Sequence, residues 1–398
     1  MPLIANSLKG LNEMEGKNVF VIGAGSTKFG ELWELGIREL ISIAAANAAK
    51  SAGVGLNDVD SVFVANCFSG IVNSQLNINS ICAEELGVAN CVCVGGGDSS
   101  GAHAILQAAN SVMSGKSRIA MAIGVEKTSD LSMSDIVGAV SCLADHEYEA
   151  YTGATLASLY GMITQKHMEK YGTTEAQIAS VSVKSHSNAV NNEFAQFRFN
   201  VDADSVMKSP VVASPVRVLG SAAACDGCCA IIMCSGEAAR KRRKKARLIG
   251  YGTGNDVVAL HGREDITSFR ALKDASRLAL QDAGIGIQDI SFAEVYDPFS
   301  IAEIISIEDL GISKAGEGGK FIENGFADIG GKCPINPSGG LKGCGHAFAA
   351  NGVRQAMEAF IQLNGDAGAR QVKNAKCALA SCMSGTGSDA VVNIFSNE

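Results

Sequence analysis

The chain has 398 residues, a formal net charge of −8 at pH 7 and 47% hydrophobic residues. This length exceeds one ordinary hydrophobic core, so we expect two domains or two fused halves. The negative charge argues against a nucleic-acid partner. No apolar run approaches about 18 residues and the N-terminus lacks a signal-peptide pattern, which predicts a cytoplasmic protein without a membrane partner.

Cysteine and glycine are both abundant in this composition. The 13 cysteines are expected to be reduced thiols, and their number hints at an anaerobic host. The 45 glycines, against only 6 prolines and one Trp, are typical of a tightly packed α/β enzyme.

In chain order, the first half alternates predicted strands and helices. Residues 1–17 have the composition of a loose leader, and the next segment is a buried strand that ends in a glycine turn. Helical periodicity covers residues 31–51 and a second strand follows. The Gly-rich run Val94-Gly-Gly-Gly-Asp-Ser-Ser-Gly then precedes a helix to Ser114 and a strand over residues 117–124.

The same order of elements recurs in the second half. Residues 52–68 and 283–299 align without a gap, and six of their positions are identical. A repeat of about 230 residues is far too long for a solenoid. We therefore predict two duplicated α/β halves related by a pseudo-twofold axis, residues 1–240 and 241–398, with a pocket at their seam.

Two further segments lie outside the duplicated pattern. A lid insertion over about residues 128–218 is expected to cover the pocket in the first half. Between the halves, the run Arg240-Lys-Arg-Arg-Lys-Lys-Ala-Arg is interpreted as a solvated linker, with a role beside a phosphate as the alternative.

Residues 333–352 carry the strongest local signal for a functional site. They contain five glycines and two prolines and lead into a small-residue helix, with His346 where that helix is expected to begin. Free N–H groups and the positive dipole end of a helix favour an anionic oxygen. His346 could donate a hydrogen bond to such an oxygen or move a proton. The alternative is a histidine that only caps the turn.

The chain resembles the thiolase superfamily, most closely the archaeal-type acetoacetyl-CoA thiolases and the lipid-transfer-protein-like thiolases. The duplicated halves and the run Gly-Gly-Leu-Lys-Gly-Cys-Gly-His ending at His346 carry this resemblance over nearly the whole chain. Further matches are Gly124-Val-Glu-Lys, Ala195-Gln-Phe-Arg-Phe, Cys225-Asp-Gly, Ile329-Gly-Gly-Lys and Ser381-Cys-Met-Ser-Gly-Thr-Gly. It implies a thiolase fold with αβαβα layers, an acyl-CoA substrate, coenzyme A as a substrate, and no metal or tightly bound cofactor.

The resemblance also implies roles for individual residues. His346 falls on the family histidine that activates the nucleophile and binds the thioester oxygen. Cys382 falls on the second cysteine, which moves the proton at the α-carbon, although the archaeal relatives usually have Asn there. Asp98 stands where the nucleophilic cysteine belongs, and Tyr296 replaces the Asn or His that positions an oxyanion-hole water. A buried carboxylate at position 98 could act as a general base.

Other residues have weaker assignments. Ser338, Gly339, Gly340 and Arg217 are predicted to bind substrate or CoA. Cys344 is a possible displaced nucleophile, and the alternative is that it only packs in its turn.

Three further features are expected to be structural or uninformative. His103 is expected to be a core or interface residue. Cys225-Asp-Gly-Cys-Cys has no second pair at metal-site spacing and is expected to pack in the core. The glycines at 23 and 25 do not continue into a dinucleotide-binding turn.

Three functions are compatible with these residues. The leading hypothesis is thiolytic cleavage of a bulky or aromatic 3-oxoacyl-CoA, such as a benzoylsuccinyl-CoA-type substrate, because Gly95–Gly97 remove side chains and are expected to widen the acyl pocket. The second is a retro-aldolase acting on a 3-hydroxyacyl-CoA, and the third a non-catalytic thiolase-like subunit.

The resemblance also implies partners. A homodimer core is the minimum assembly expected for this family. A small zinc-ribbon/OB-fold subunit is expected to dock on Phe194, Phe197 and Phe199.

Overall fold

The computed structural model describes residues 18–397, so the predicted leader lies outside the described residues. The strands are β1 (Val19–Ser26), β2 (Ser61–Ala65), β3 (Cys91–Val94), β4 (Ile119–Glu126), β5 (Val211–Ala213), β6 (Val216–Arg217), β7 (Gly227–Ser235), β8 (Ala246–Asn255), β9 (Phe292–Glu294), β10 (Cys377–Ser384) and β11 (Asp389–Ser396).

The α-helices among the described residues include five short ones of four to six residues. They are α1 (Ile37–Ala52), α2 (Ser69–Val72), α3 (Ile78–Leu86), α4 (Ser100–Met113), α5 (Met133–Ser141), α6 (Leu156–Tyr171), α7 (Glu175–Ala189), α8 (Ala203–Lys208), α9 (Gly236–Ala239), α10 (Arg270–Ala283), α11 (Ser300–Asp309), α12 (Gly318–Glu323), α13 (Gly340–Cys344) and α14 (Ala350–Leu363). Among the described residues, no helix is both long and apolar enough to cross a bilayer.

The described strands other than β5 and β6 form one mixed sheet whose order reveals the duplication. The order is β3-β2-β4-β7-β1-β8-β11-β10-β9. Reading outward from β1 gives β7, β4, β2 and β3, and reading outward from β8 gives β11, β10 and β9. Among the described strands the second half has no counterpart of β3. At that position a single parallel bridge joins Ala293 to Ile335. The two halves therefore share one topology, as the sequence repeat predicts.

The halves meet through a short antiparallel contact between β1 and β8, which pairs Val19 to Val21 with Leu248 to Ala246. Helix α1 packs outside the first half-sheet and α10 outside the second, while α4 and α14 lie against each other and against the inner strands. Buried side chains accordingly form three large apolar cores, two outer ones and one inner one around α4 and α14. This is the layered α/β thiolase fold.

The predicted lid, residues 128–218, contains α5 to α8 and the small β5–β6 hairpin. It is attached to the C-terminal turn, because the hydroxyl of Tyr160 on α6 donates to the carbonyl of Gly385 at 3.0 Å. The basic linker is partly structural, since the Arg242 guanidinium donates to the carbonyls of Ala52 and Gly53 and so caps the end of α1.

Candidate active site

Asp98 is placed by a turn that only glycine can form. After β3 the backbone takes positive φ angles of 127° at Gly96 and 91° at Gly97, and α4 begins at Ser100. A Cβ atom at Gly97 would lie 2.1 Å from the Ser384 Oγ. The turn thus brings the Asp98 side chain, which is fully buried, to the N-terminal end of α4.

The glycines before Asp98 do not all act as the sequence predicts. At Gly97 the space of a side chain is filled by Ser384 and Leu143, so this glycine does not widen an acyl pocket. At Gly95 and Gly96 a Cβ atom would meet nothing within 4 Å, and both residues are exposed. The argument for a widened pocket at Gly97 is therefore wrong.

His346 lies in an extended segment, and this corrects the predicted position of the helix start. The short helix α13 ends at Cys344, and α14 begins only at Ala350. The His346 backbone instead bridges to a neighbouring segment, donating to the carbonyl of Ala223 at 2.8 Å and accepting from the amide of Cys225 at 3.1 Å. The backbone of the histidine is therefore fixed by strand-like hydrogen bonds and not by a helix dipole.

Close packing of α4 against α14 brings Asp98 and His346 together. A Cβ atom at Gly101 would lie 2.1 Å from the carbonyl oxygen of Ala349, and one at Gly352 would lie 2.4 Å from the amide nitrogen of Ala102. The two helix N-termini therefore touch through their backbones. In consequence the Nε2 atom of His346 lies 3.6 Å from the Asp98 Oδ2, and both side chains are buried.

Tyr296 completes this group from the end of β9. Its side chain is fully buried, its hydroxyl donates a hydrogen bond to the Asp98 Oδ2, and its ring meets the His346 ring edge-on at 5.7 Å. Burial, together with the charge of Asp98, raises the pKa of the Tyr296 hydroxyl well above its usual value. Tyr296 is therefore a neutral donor to the carboxylate.

Cys382 lies on β10 beside the same turn. Its Sγ atom is 3.5 Å from the backbone carbonyl oxygen of Asp98. Burial raises the pKa of the Cys382 thiol well above its usual value, and the charges of Asp98 and Asp389 add to that effect. A thiol in this state can give a proton but is a poor nucleophile.

Two buried polar atoms in this group face the site unpaired. Among the described residues, the Oδ1 atom of Asp98 and the Nε2 atom of His346 have no hydrogen-bond partner. Leaving such atoms unpaired costs free energy in a folded protein, so both atoms are available for a further hydrogen bond. Asp98, His346, Tyr296 and Cys382 thus form one acid–base cluster.

Three of the residues predicted to bind substrate or CoA, Ser338, Gly339 and Gly340, are buried, and their role in binding stays a prediction. The amide and the hydroxyl of buried Ser338 both donate to the Glu294 carboxylate. The Ser338 Oγ accepts from the Arg354 guanidinium at 2.9 Å. A Cβ atom at Gly340 would lie 2.3 Å from the Asp297 carboxylate, and one at Gly339 would press on Ala189 of α7. These residues therefore belong to a buried polar framework.

Arg217 on β6 is partly exposed, with a side-chain exposure of 27%. Its guanidinium donates to the Ser209 carbonyl at 3.1 Å and pairs with Glu175 at 3.3 Å. It lines a small cavity together with Phe299, which follows Tyr296 by three residues. Its role in CoA binding stays a prediction.

The structure also places the weaker candidates. The thiol of Cys344 lies 3.2 Å from the Ser338 carbonyl and 3.4 Å from the Asn192 amide, and burial raises its pKa to about 11. Its environment thus favours packing over a role as a nucleophile. The Nε2 atom of His103 pairs with Asp389 at 2.9 Å.

The cysteines of the Cys225-Asp-Gly-Cys-Cys run lie buried at the start of β7 and immediately before it. Within residues 18–397, no group of three or more metal-ligating side chains could hold a metal ion.

Sequence reasoning missed two residues near the cluster. Tyr160 of the lid is fully buried. Burial is the main cause that raises the pKa of its hydroxyl, and the charge of Asp98 adds to this rise. Glu126 is a buried carboxylate whose pKa burial raises to about 8. Only the Gly124-Val-Glu-Lys motif pointed to Glu126, and no sequence signal pointed to Tyr160.

Comparison with known proteins identifies the family over nearly the whole chain. A model of the thiolase N-terminal domain matches residues 19–235, and one of the thiolase C-terminal domain matches residues 252–397. The chain is 41% identical to an acetyl-CoA acetyltransferase of Methanothermobacter thermautotrophicus, over 96% of this chain and 100% of that protein. It is 31% identical to the benzoylsuccinyl-CoA thiolase subunit BbsB of Thauera aromatica, over 90% of this chain and 92% of that protein.

Solved structures show the same fold at lower identity. The Ltp2-ChsH2(DUF35) aldolase superposes with a TM-score of 0.83 at 22% identity, covering 96% of this chain and 98% of that chain. Human mitochondrial 3-ketoacyl-CoA thiolase superposes with a TM-score of 0.75 at 17% identity, covering 96% of this chain and 100% of that chain. Because the two family models span nearly the whole chain, the chain belongs to the thiolase family.

Proposed function

We propose that the chain breaks or forms the carbon–carbon bond beside an acyl-CoA carbonyl by aldol-type acid–base chemistry. One observation carries this proposal: Asp98, which the family resemblance puts at the nucleophile position, is a buried carboxylate that accepts from Tyr296 and lies 3.6 Å from the Nε2 of His346. A carboxylate is a poor acyl acceptor but a good base in a buried site. The cluster therefore suits proton transfer better than acyl transfer.

The residues account for each proton in a retro-aldol cleavage of a 3-hydroxyacyl-CoA. Asp98, with Tyr296 as its donor, takes the proton of the 3-hydroxyl group while the bond between C2 and C3 breaks. The electron pair moves to the thioester oxygen as an enolate, which His346 stabilises through an N–H donated from Nε2. The thiol of Cys382 then gives a proton to C2, the proton taken up by Asp98 restores that thiol, and no free CoA is consumed.

Thiolytic cleavage of a 3-oxoacyl-CoA is the second candidate function. The relatives described as an acetyl-CoA acetyltransferase and as a benzoylsuccinyl-CoA thiolase subunit favour it, and the latter supports a bulky aromatic acyl group. This route needs a thiolate to carry the acyl group. Its difficulty is that burial raises the thiol pKa of both Cys382 and Cys344.

Replacing Tyr296 with phenylalanine tests the aldol route. The change keeps the ring and removes only the hydroxyl, so an aldolase should lose about 10²- to 10⁴-fold in kcat, the scale of one acid–base group. Cleavage of 3-hydroxyacyl-CoA thioesters would be followed without added CoA. The control is Tyr251→Phe on β8, which should keep its rate. Cleavage that strictly requires free CoA would refute the aldol route.

Replacing Cys382 with alanine tests the thiolytic route. If Cys382 carries the acyl group, turnover should fall at least about a hundredfold and no covalent acyl adduct should form. Intact-protein mass spectrometry after incubation with candidate acyl-CoAs would detect the adduct in the native chain and its loss in the variant. Cys344→Ala is the matched control. Near-normal rates in both variants would exclude thiolysis through either thiol, and inactivity on every thioester would favour a non-catalytic subunit.

A further inference from the structure

Glu126, the last residue of β4, has no part in the chemistry proposed above, yet its carboxylate accepts four hydrogen bonds. Its side chain is fully buried. One oxygen accepts from the Phe68 amide and the Asn66 Nδ2, both at 3.0 Å. The other accepts from the Cys67 amide at 3.0 Å and the Ala349 amide at 3.4 Å. All four neighbours are donors.

These donors come from the two segments that flank the His346 ring. Ala349 follows His346 by three residues, and Phe68 lies in the loop after β2. The Phe68 ring meets Phe348 edge-on at 4.8 Å, and the Phe348 ring lies against the His346 ring at 4.3 Å with a tilt of 33°. The carboxylate therefore fixes the backbone on both sides of an aromatic stack that ends at the imidazole.

A carboxylate is the group that this position requires. An ionised carboxylate only accepts hydrogen bonds. The NH₂ group of a glutamine would instead point two N–H donors at neighbours that are themselves donors. Burial penalises the charge and raises the pKa of Glu126, whereas the hydrogen bonds from the amides of Phe68, Cys67 and Ala349 stabilise the ionised form and lower it. The other ionisable groups around it are Asp98 and Cys67.

We propose that Glu126 is a positioning residue for the reaction, which holds Phe348 and through it the His346 imidazole in place beside Asp98. This inference rests on the proposed roles of Asp98 and His346. It predicts that Glu126 acts on the rate of the chemical step and on the environment of one particular histidine, and not only on the stability of the fold.

The chain offers a matched control in Glu308 of α11. This carboxylate is also buried, and it accepts from the amides of Gly316 at 2.8 Å and Gly318 at 2.9 Å. It also pairs with a histidine, His167, at 3.3 Å. Glu308→Gln therefore repeats the chemical change of Glu126→Gln at a site that lies outside the cluster.

The test follows the histidines by NMR with ¹³C-labelled imidazole rings. The chain has only six histidines, and His346→Asn and His167→Asn variants assign the two signals of interest. Glu126→Gln should shift the His346 signal and leave that of His167 unchanged, and Glu308→Gln should do the reverse. In steady-state assays Glu126→Gln should lower kcat about 10- to 100-fold with KM little changed. Glu126→Asp, which keeps the charge, should recover part of that loss.

The NMR readout needs no turnover, so an error in the proposed reaction would leave it valid. A Glu126→Gln protein with an unmoved His346 signal would overturn the proposal, whatever its stability. If that variant does not fold, Phe348→Leu removes the aromatic link and leaves the carboxylate intact. The proposal requires the His346 signal to move in that variant too, and an unmoved signal there would overturn it equally.

Discussion

At the scale of single residues, the proposed chemistry depends on the carboxylate of Asp98. It occupies the turn before α4, accepts from Tyr296 and lies 3.6 Å from His346. Each of these contacts suits a group that takes up a proton. None of them activates a thiol, because the nearby Cys382 is held in its protonated form by burial and by the charge of Asp98.

Replacing Asp98 with asparagine should therefore abolish turnover while preserving the fold. The amide has the same size and can still accept from Tyr296, but it cannot take a proton, so we expect a loss of about 10²- to 10⁴-fold in kcat. The temperature of thermal unfolding should change little, because the amide keeps the size of the carboxylate and its hydrogen bond from Tyr296. The control is Asp309→Asn, a buried carboxylate that accepts from the Phe269 amide. Normal turnover in Asp98→Asn would show that this residue is not the base.

The sequence predicted the four members of the cluster but not what holds them. Asp98, His346, Tyr296 and Cys382 could be named because each lies in a motif whose position in the family is known. The predicted binding roles of Ser338 to Gly340 came from the same Gly-rich motif, yet these glycines face Asp297 and Ala189. A glycine in a sequence indicates a close approach but does not tell what approaches. That partner is set by long-range packing.

At the scale of elements, the contact between α4 and α14 sets the geometry of the site. Two glycines, Gly101 and Gly352, allow the helix N-termini to touch, and each helix follows one of the loops that carry Asp98 and His346. Chain periodicity predicted both helices but placed the start of α14 near His346, four residues too early. Small residues around the junction, Ala347 to Gly352, fit either a helix or an extended segment, so local propensity could not locate the boundary.

Gly352→Ala should separate the two helices. The new Cβ atom would lie 2.4 Å from the Ala102 amide nitrogen, a backbone atom that cannot rotate away. We expect a net loss of about 1–3 kcal/mol in unfolding free energy, because overpacking outweighs the better helix propensity of alanine. Activity should fall further than the loss of folded protein explains. Denaturant unfolding and kcat would be measured in parallel.

Gly138→Ala is the control, since this glycine lies inside α5 and a Cβ atom there meets nothing within 4 Å. It should be neutral or stabilising by up to about 1 kcal/mol. Equal effects at positions 138 and 352 would contradict the proposed contact.

At the scale of the whole molecule, the two halves repeat one topology but contribute different chemistry. The first half supplies Asp98, and the second supplies His346, Tyr296 and Cys382. The lid contacts the second half through the hydrogen bond from the Tyr160 hydroxyl to the Gly385 carbonyl. The duplication could be predicted because apolar periodicity and turn glycines repeat with it. The division of roles could not, since it depends on which of two equivalent turns carries a reactive side chain.

The lid has few free cations for the phosphates of CoA. Its basic residues are few, and five of them are already paired with acidic side chains. The pairs are Lys166–Glu169, Lys170–Asp265, Lys184–Glu303, Lys208–Asp204 and Arg217–Glu175. Phe199 is meanwhile 53% exposed and meets Phe197 edge-on at 6.0 Å. This pattern favours a second subunit that completes the CoA site and covers the aromatic side chains.

We therefore predict that the chain alone is poorly active or poorly soluble and that a small zinc-ribbon/OB-fold protein converts it into a stable hetero-oligomer around a homodimer core. Co-expression followed by size-exclusion chromatography with light scattering would measure the assembly.

Phe199→Asp should prevent the complex from forming, because it places a charge in an apolar contact that must lose its water. Val257→Asp, at a residue that is 47% exposed just beyond β8, should leave the complex intact. A fully active homodimer that binds CoA with micromolar affinity, without any small subunit, would contradict the prediction.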